Sequence, residues 1–118
     1  MFGQVAVELP KALTVGKNAT TGIHVYLGSS GGSAVYAGIT NNIIRRQAEH
    51  AAKFVVKAIT SQTLTRGEAR AIEQAIIHNN PSYRNAINSI SPTHGYYDRA
   101  VSWGEQWLTQ NGYGSLVR

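Results

Sequence analysis

Residues 35–42 constrain the fold of this chain more than any other segment, because they predict a strand that runs directly into a helix. The residues around Tyr36 favour a β-strand, whereas Asn41 or Asn42 can cap the N-terminus of a following helix. Between them, the strand is expected to end in a tight turn at Gly38, a residue that permits an unusual backbone angle. The segment therefore places Tyr36 near the mouth of the predicted helix.

Two side chains of that helix extend the pattern. Arg46 and His50 are four residues apart, so they lie on the same helix face. A phenol, a guanidinium and an imidazole at one place can bind an anion and exchange protons. Tyr36, Arg46 and His50 are therefore candidate catalytic residues.

Hydrophobic patterns and turn residues elsewhere predict a small antiparallel sheet. Residues 22–28 and 33–39 are expected to form a hairpin joined by residues 29–32, and residues 53–59 a third strand. Residues 85–90 are predicted as a short strand or an extended crossing.

Helices are predicted over residues 41–52, 66–79 and 95–111. Thr65 and Glu68 have the spacing of a capping box at the start of the second helix. The expected fold is one α+β domain over residues 1–118, in which helices flank a small, three-stranded, mainly antiparallel sheet.

The composition narrows the class of partner. Eleven Lys and Arg residues against six acidic residues give a net charge of +5, which suits a polyanion such as nucleic acid. The absence of cysteine excludes a disulfide framework and a thiolate metal site. No apolar run approaches the ~20 residues that span a bilayer, and no secretory signal is recognisable at the N-terminus.

The segment around Tyr36 resembles the second half of the signature of GIY-YIG nucleases. The family's tyrosine, the glycine two residues on, the arginine ten on and a histidine four beyond correspond to Tyr36, Gly38, Arg46 and His50. Ala37 replaces the usual Ile or Val. The resemblance covers residues 22–90.

Residues 22–26 resemble the first strand of the same signature. His24 stands where the family has a tyrosine, and Tyr26 lies two residues later on the same strand face. The spacing favours His24, whereas the retained phenol favours Tyr26, so both are candidates for the first-strand role.

Glu73 lies on the second predicted helix beside the apolar stripe of Ala69, Ile72, Ile76 and Ile77. A carboxylate among core positions is costly unless it is paired or binds a metal, and the alternative is a position at the edge of the stripe that reaches water. The resemblance implies that Glu73 holds one divalent cation, either Mg²⁺ or another such as Mn²⁺.

The resemblance also implies roles for the remaining candidates. Tyr36 would orient the attacking water, Arg46 would stabilise charge on the phosphate, and His50 would assist. Arg45 is a candidate substrate-binding residue, and because Glu49 follows it by four residues, Arg45 is also the better candidate for a surface ion pair.

An asparagine follows the metal-binding helix in the family, and two residues can supply it. Asn85 and Asn88 are three apart, so in a strand they would face opposite sides and only one could enter the site. Asn88 is favoured slightly as a substrate-binding residue, because it directly precedes the segment expected to close the site.

Together these features predict a divalent-metal-dependent endonuclease, with DNA favoured over RNA. Residues 73–77 and 85–92 also resemble the nuclease tips of bacterial polymorphic toxins, including those of contact-dependent growth inhibition. That resemblance implies delivery into the cytoplasm of a target cell and neutralisation by an immunity protein. The alternatives are a cytoplasmic DNA-repair or mobile-element nuclease, an RNA-cleaving toxin that acts on tRNA, and a non-catalytic nucleic-acid-binding module.

Overall fold

The computed structural model describes residues 7–60, 64–85 and 88–118, and it confirms the predicted α+β architecture. The strands are β1 (His24–Ser30), β2 (Ser33–Thr40) and β3 (Val55–Ala58). They form a sheet in the order β2-β1-β3, in which both neighbouring pairs are antiparallel. The central strand is therefore the first one in the sequence.

The hairpin between β1 and β2 is tighter than predicted. Its turn consists of Gly31 and Gly32, whose φ angles are 61° and 83°. Two consecutive positive φ angles match a two-residue type I′ turn, for which glycine is well suited. Ser29 and Ser30 belong to β1 rather than to the turn, after a register shift that follows Gly28.

The described residues contain the three predicted helices, with ends one or two residues inside most predicted bounds: α1 (Ile43–His50), α2 (Arg66–Asn79) and α3 (Tyr97–Gln110). Asn42 caps α1, because its side chain accepts a hydrogen bond from the Arg45 N–H. Thr65 and Glu68 form both hydrogen bonds of the predicted capping box at α2. No helix among the described residues is long and apolar enough to cross a membrane.

The two faces of the sheet have different environments. Val25 and Ala37 lie on one face, fully buried in a core that includes Ile72 and Ile76 of α2. The other face carries Tyr26 and looks toward the end of α1, which also packs against β3. Because side chains alternate along a strand, β1 and β2 contribute side chains to the core on one face and to the candidate site on the other.

Side-chain amides bind the outer edges of the sheet. Asn85 accepts a hydrogen bond from the Ala37 N–H of β2 (3.1 Å) and donates one to the Ala37 carbonyl (2.7 Å). Gln47 of α1 likewise donates to the Phe54 carbonyl (3.2 Å) and accepts from the Val56 N–H of β3 (2.7 Å). Such contacts satisfy edge groups that would otherwise be open to another strand.

Residues 85–90 were predicted as a short strand or an extended crossing, and their described part does not form a strand. Asn85 and residues 88–90 have no strand conformation, while residues 86–87 lie outside the described residues. At Asn85, the amide side chain makes the hydrogen bonds to β2 that a neighbouring strand would otherwise make through its backbone.

Candidate active site

Four rings meet on the α1 side of the sheet: Tyr26, Tyr36, His50 and Phe54. In the register of the hairpin, Tyr26 is opposite Gly38 and Tyr36 is opposite Gly28, so the two tyrosines are diagonal neighbours on one face. Their ring centroids are 6.1 Å apart. His50, the last residue of α1, lies 5.7 Å from the Tyr36 ring and 6.1 Å from the Tyr26 ring.

Phe54 closes this ring cluster, although it is not among the site residues predicted from the sequence. Its ring stacks on Tyr36 with a centroid distance of 5.2 Å and lies 5.4 Å from that of His50. A Cβ atom at Gly28 would lie only 3.0 Å from the Phe54 ring. In the sequence, Phe54 begins an apolar run that predicts a strand, and this pattern does not indicate a site residue.

Tyr26 directs its hydroxyl into the cluster, and Gly38 leaves the room for it. The Tyr26 oxygen lies 3.3 Å from His50 Nε2, and the residue is only 1% exposed. A Cβ atom at Gly38 would overlap this hydroxyl. The expected tight turn at Gly38 is wrong, because Gly38 lies inside β2 and its φ is not positive. Glycine is required here for space rather than for conformational freedom.

The electrostatic environment of Tyr26 connects the cluster to two charged residues. Burial raises the pKa of Tyr26 well above its usual value of 10.0, and charge on Tyr36 or Glu73 raises it further. Arg46 acts in the opposite direction and lowers this pKa. Tyr26 is therefore a protonated hydrogen-bond donor at neutral pH, within electrostatic reach of both Arg46 and Glu73.

His24 has a different neighbour from Tyr26. Its Nδ1 atom lies 3.1 Å from Thr60 Oγ1, and its pairing partner on β2 is Thr40. Of the two candidates for the first-strand position, Tyr26 is the one that the fold brings together with Tyr36 and His50.

The two neighbouring arginines of α1 share Glu49, contrary to the expected preference. Arg46 Nη1 lies 3.2 Å from Glu49, whereas Arg45 Nε lies 4.0 Å from it. The expectation that Arg45 is the better partner is wrong, because residues three apart on a helix are neighbours as well as residues four apart. Arg45 is the more exposed of the two and also donates to Asn41 (3.2 Å).

Arg46 nevertheless keeps an unused donor. Its Nε atom is buried and makes no hydrogen bond with any described residue. Buried polar atoms without a partner are uncommon in folded proteins and call for an explanation. A phosphate oxygen is a suitable acceptor for a guanidinium N–H of this kind.

Glu73 of α2 is partly buried and makes no ion pair within 4.0 Å among the described residues. Burial raises its pKa from 4.5 to about 7, although a hydrogen bond from Ser89 and the charges of Arg70 and Arg66 act against the shift. The environment is therefore short of positive charge for an ionised carboxylate.

The Glu73 carboxylate is the type of oxygen ligand that a divalent cation such as Mg²⁺ binds. The described residues contain no group of three or more acidic, His or Cys side chains that could hold a metal. Mg²⁺ needs no such group, because it retains several waters and is often held by one or two carboxylates together with substrate phosphate. Glu73 alone can supply that protein ligand.

The two candidate asparagines have different contacts. Asn85 uses both its carbonyl and its NH₂ group on the Ala37 backbone, next to Tyr36. Asn88 is exposed and accepts a hydrogen bond from Gln74 Nε2 (2.9 Å). Asn85 therefore holds the strand edge beside Tyr36, whereas Asn88 lies beside α2, one residue before the Ser89 that bonds Glu73.

The site combines a protonated phenol, a second phenol, an imidazole, a guanidinium and a partly buried carboxylate. Such a set can hold a phosphate, a cation and a water molecule close together. Comparison of this chain with protein-family models, curated proteins and solved structures gives no match, so this geometry carries the functional interpretation.

Proposed function

We propose that this chain is a divalent-metal-dependent endonuclease of the GIY-YIG type that hydrolyses phosphodiester bonds in nucleic acid. The observation that carries the proposal is the position of the Tyr26 hydroxyl. It lies 3.3 Å from His50, and its pKa responds to both Arg46 and Glu73. Tyr26, Tyr36 and His50, three of the residues that the resemblance implies, thus lie together on one face of the sheet, and the charges of Arg46 and Glu73 act on the Tyr26 hydroxyl.

In the proposed reaction, the guanidinium of Arg46 binds a non-bridging oxygen of the scissile phosphate and stabilises the charge that develops there. Tyr36, which is partly exposed, orients the attacking water. Tyr26 remains protonated and holds His50 in place, and His50 serves as a proton-transfer group. Asn85 keeps Tyr36 in position through its two hydrogen bonds to Ala37.

Glu73 in its ionised form would hold Mg²⁺ or Mn²⁺. A bound divalent cation supplies Lewis-acid stabilisation of the phosphate and of the leaving oxygen. The raised pKa of about 7 favours cation binding above neutral pH, because the carboxylate must lose its proton first.

A non-catalytic nucleic-acid-binding module explains this site less well. Binding of the backbone needs positive charge, which the net charge of +5 supplies. It does not need a partly buried carboxylate without an ion pair, which repels phosphate unless a cation lies between them. Glu73 therefore favours catalysis over binding alone.

The biological setting that we propose is an interbacterial toxin domain. It rests on the resemblance of residues 73–77 and 85–92 to the nuclease tips of polymorphic toxins. In that setting a larger carrier delivers the chain to a target cell, and a cognate immunity protein neutralises it in the producing cell. A DNA-repair or mobile-element nuclease would use the same chemistry without an immunity protein.

The proposal is tested by incubating the purified chain with plasmid DNA and with total tRNA, each with Mg²⁺, with Mn²⁺ and with a chelator. We expect nicked and linear plasmid with metal and intact plasmid with the chelator. Cleavage of tRNA without cleavage of plasmid would mean that the chain is an RNA nuclease rather than a DNA nuclease. Intact DNA and intact tRNA under every metal condition would refute the nuclease function.

A further inference from the structure

Arg84, which is not among the site residues predicted from the sequence, is fixed at the edge of the candidate site. Its backbone N–H donates to the Val35 carbonyl (2.7 Å), directly before Tyr36 in β2. The next residue, Asn85, makes its two hydrogen bonds to Ala37. Three hydrogen bonds therefore attach residues 84–85 to β2 on both sides of Tyr36, so the backbone position of Arg84 relative to Tyr36 is well defined.

The Arg84 side chain extends over the ring cluster. Its guanidinium carbon lies 6.0 Å from the centroid of the Phe54 ring. Phe54 is only 7% exposed and stacks on Tyr36. A guanidinium near an aromatic face is attracted by the ring, which favours this position over the many that an exposed arginine can adopt.

Among the residues that the structure describes, no acidic side chain forms an ion pair with Arg84. The ion pairs among the described residues join Arg45 and Arg46 to Glu49, and none of them involves Arg84. The residue is exposed, so a ligand can reach the guanidinium. Arg84 thus borders the ring cluster at Phe54, and in the described part of the chain it has no carboxylate partner, whereas Arg46 pairs with Glu49.

We propose that Arg84 forms a second phosphate subsite, which binds a backbone phosphate of the nucleic acid next to the scissile one. This inference rests on the proposed nuclease function. The guanidinium fork can give a phosphate two hydrogen bonds. Phe54 is too deeply buried to stack on a base, so the subsite contacts the backbone and positions the strand without reading its sequence.

The test measures the binding of a fluorescein-labelled DNA duplex by anisotropy over a range of salt concentrations. Glu73→Gln serves as the background, so that the ligand stays intact. Arg84→Ala should reduce the slope of log K against log salt by about 0.9, the value for one duplex phosphate contact. The factor by which Arg84→Ala weakens binding should therefore be about threefold smaller at roughly 200 mM salt than at roughly 50 mM salt.

Two matched variants show whether the position or only the charge matters. Arg99→Ala removes the same charge from an exposed position on α3, and it should leave the slope unchanged. Arg84→Lys retains the charge and should keep most of the slope. In the cleaving protein, Arg84→Ala should raise KM by a larger factor than it lowers kcat.

The outcomes separate this inference from the proposed function. Equal slope changes for Arg84→Ala and Arg99→Ala would overturn the subsite, because net charge alone would then explain binding. An effect of Arg84→Ala on kcat alone would also overturn it. Either result would leave the nuclease function standing if the wild-type chain cleaves, whereas a wild-type chain that neither cleaves nor binds would remove both.

Discussion

Replacing Glu73 by Gln should stabilise the fold above neutral pH and have little effect in acid. The folded protein raises the pKa of this carboxyl from 4.5 to about 7. Below the unfolded pKa the Glu73 carboxyl is protonated in both states, and its contribution to stability is fully present. As the pH rises through the folded pKa that contribution is lost, because the unfolded chain releases its proton at a lower pH than the folded protein does. At about 1.4 kcal/mol for each pKa unit, the ionised side chain destabilises the fold by about 3 kcal/mol.

Urea unfolding followed by far-ultraviolet circular dichroism, with a chelator present, measures this effect. At about pH 8 the Gln variant should be more stable by as much as about 3 kcal/mol, and at about pH 4 the two proteins should nearly coincide. The comparison cancels all other titrating groups, because both proteins share them. Gln is close in size to Glu and can still accept the hydrogen bond from Ser89.

Two results would refute this reasoning. A stability difference that does not change with pH would mean that Glu73 does not titrate from a buried position. A wild-type protein that is more stable than the variant at high pH without metal would mean that an ion pair already balances the carboxylate. Addition of Mg²⁺ at high pH should stabilise the wild-type protein and not the variant, because a ligand that binds only the folded state shifts unfolding by mass action.

Three further predictions concern the strands and α1. Arg46→Ala should lower kcat by about 10²- to 10³-fold, as expected for the loss of one preorganised donor. Arg45→Ala should cost less than roughly 1 kcal/mol in transition-state stabilisation, as expected for a surface ion pair. Equal rate losses in the two variants would contradict these separate roles. Tyr26→Phe should impair cleavage more than His24→Ala, because only Tyr26 reaches His50, and the reverse order in a rate assay would favour His24. Gly38→Ala should destabilise the fold by about 1–3 kcal/mol in urea unfolding, because its Cβ would overlap the Tyr26 hydroxyl; wild-type stability would contradict that crowding.

The elements that local sequence determines were predicted closely. Thr65 and Glu68 form the expected capping box, and α2 has the predicted bounds of Arg66–Asn79. Asn42 caps α1 as one of the two expected residues. These features depend on groups three or four residues apart, so their chemistry is visible in a short window of sequence.

The features that were missed depend on residues far apart in the chain. Gly38 makes room for Tyr26, which is twelve residues earlier, and this demand arises only after the hairpin has paired. Phe54 enters the site because α1 returns the chain to the sheet. Asn85 reaches β2 across 48 residues, so no local pattern could distinguish it from Asn88.

The most direct test of the central claim is the single-turnover cleavage rate of the wild-type and Glu73→Gln proteins as the Mg²⁺ concentration is raised. The proposed mechanism predicts a wild-type rate that rises with Mg²⁺ to a plateau and vanishes with a chelator. It predicts a variant that is slower by about two orders of magnitude or more at every Mg²⁺ concentration, the scale expected when one electrostatic stabiliser is lost. Equal rates for the two proteins, or a wild-type rate that survives the chelator, would contradict it.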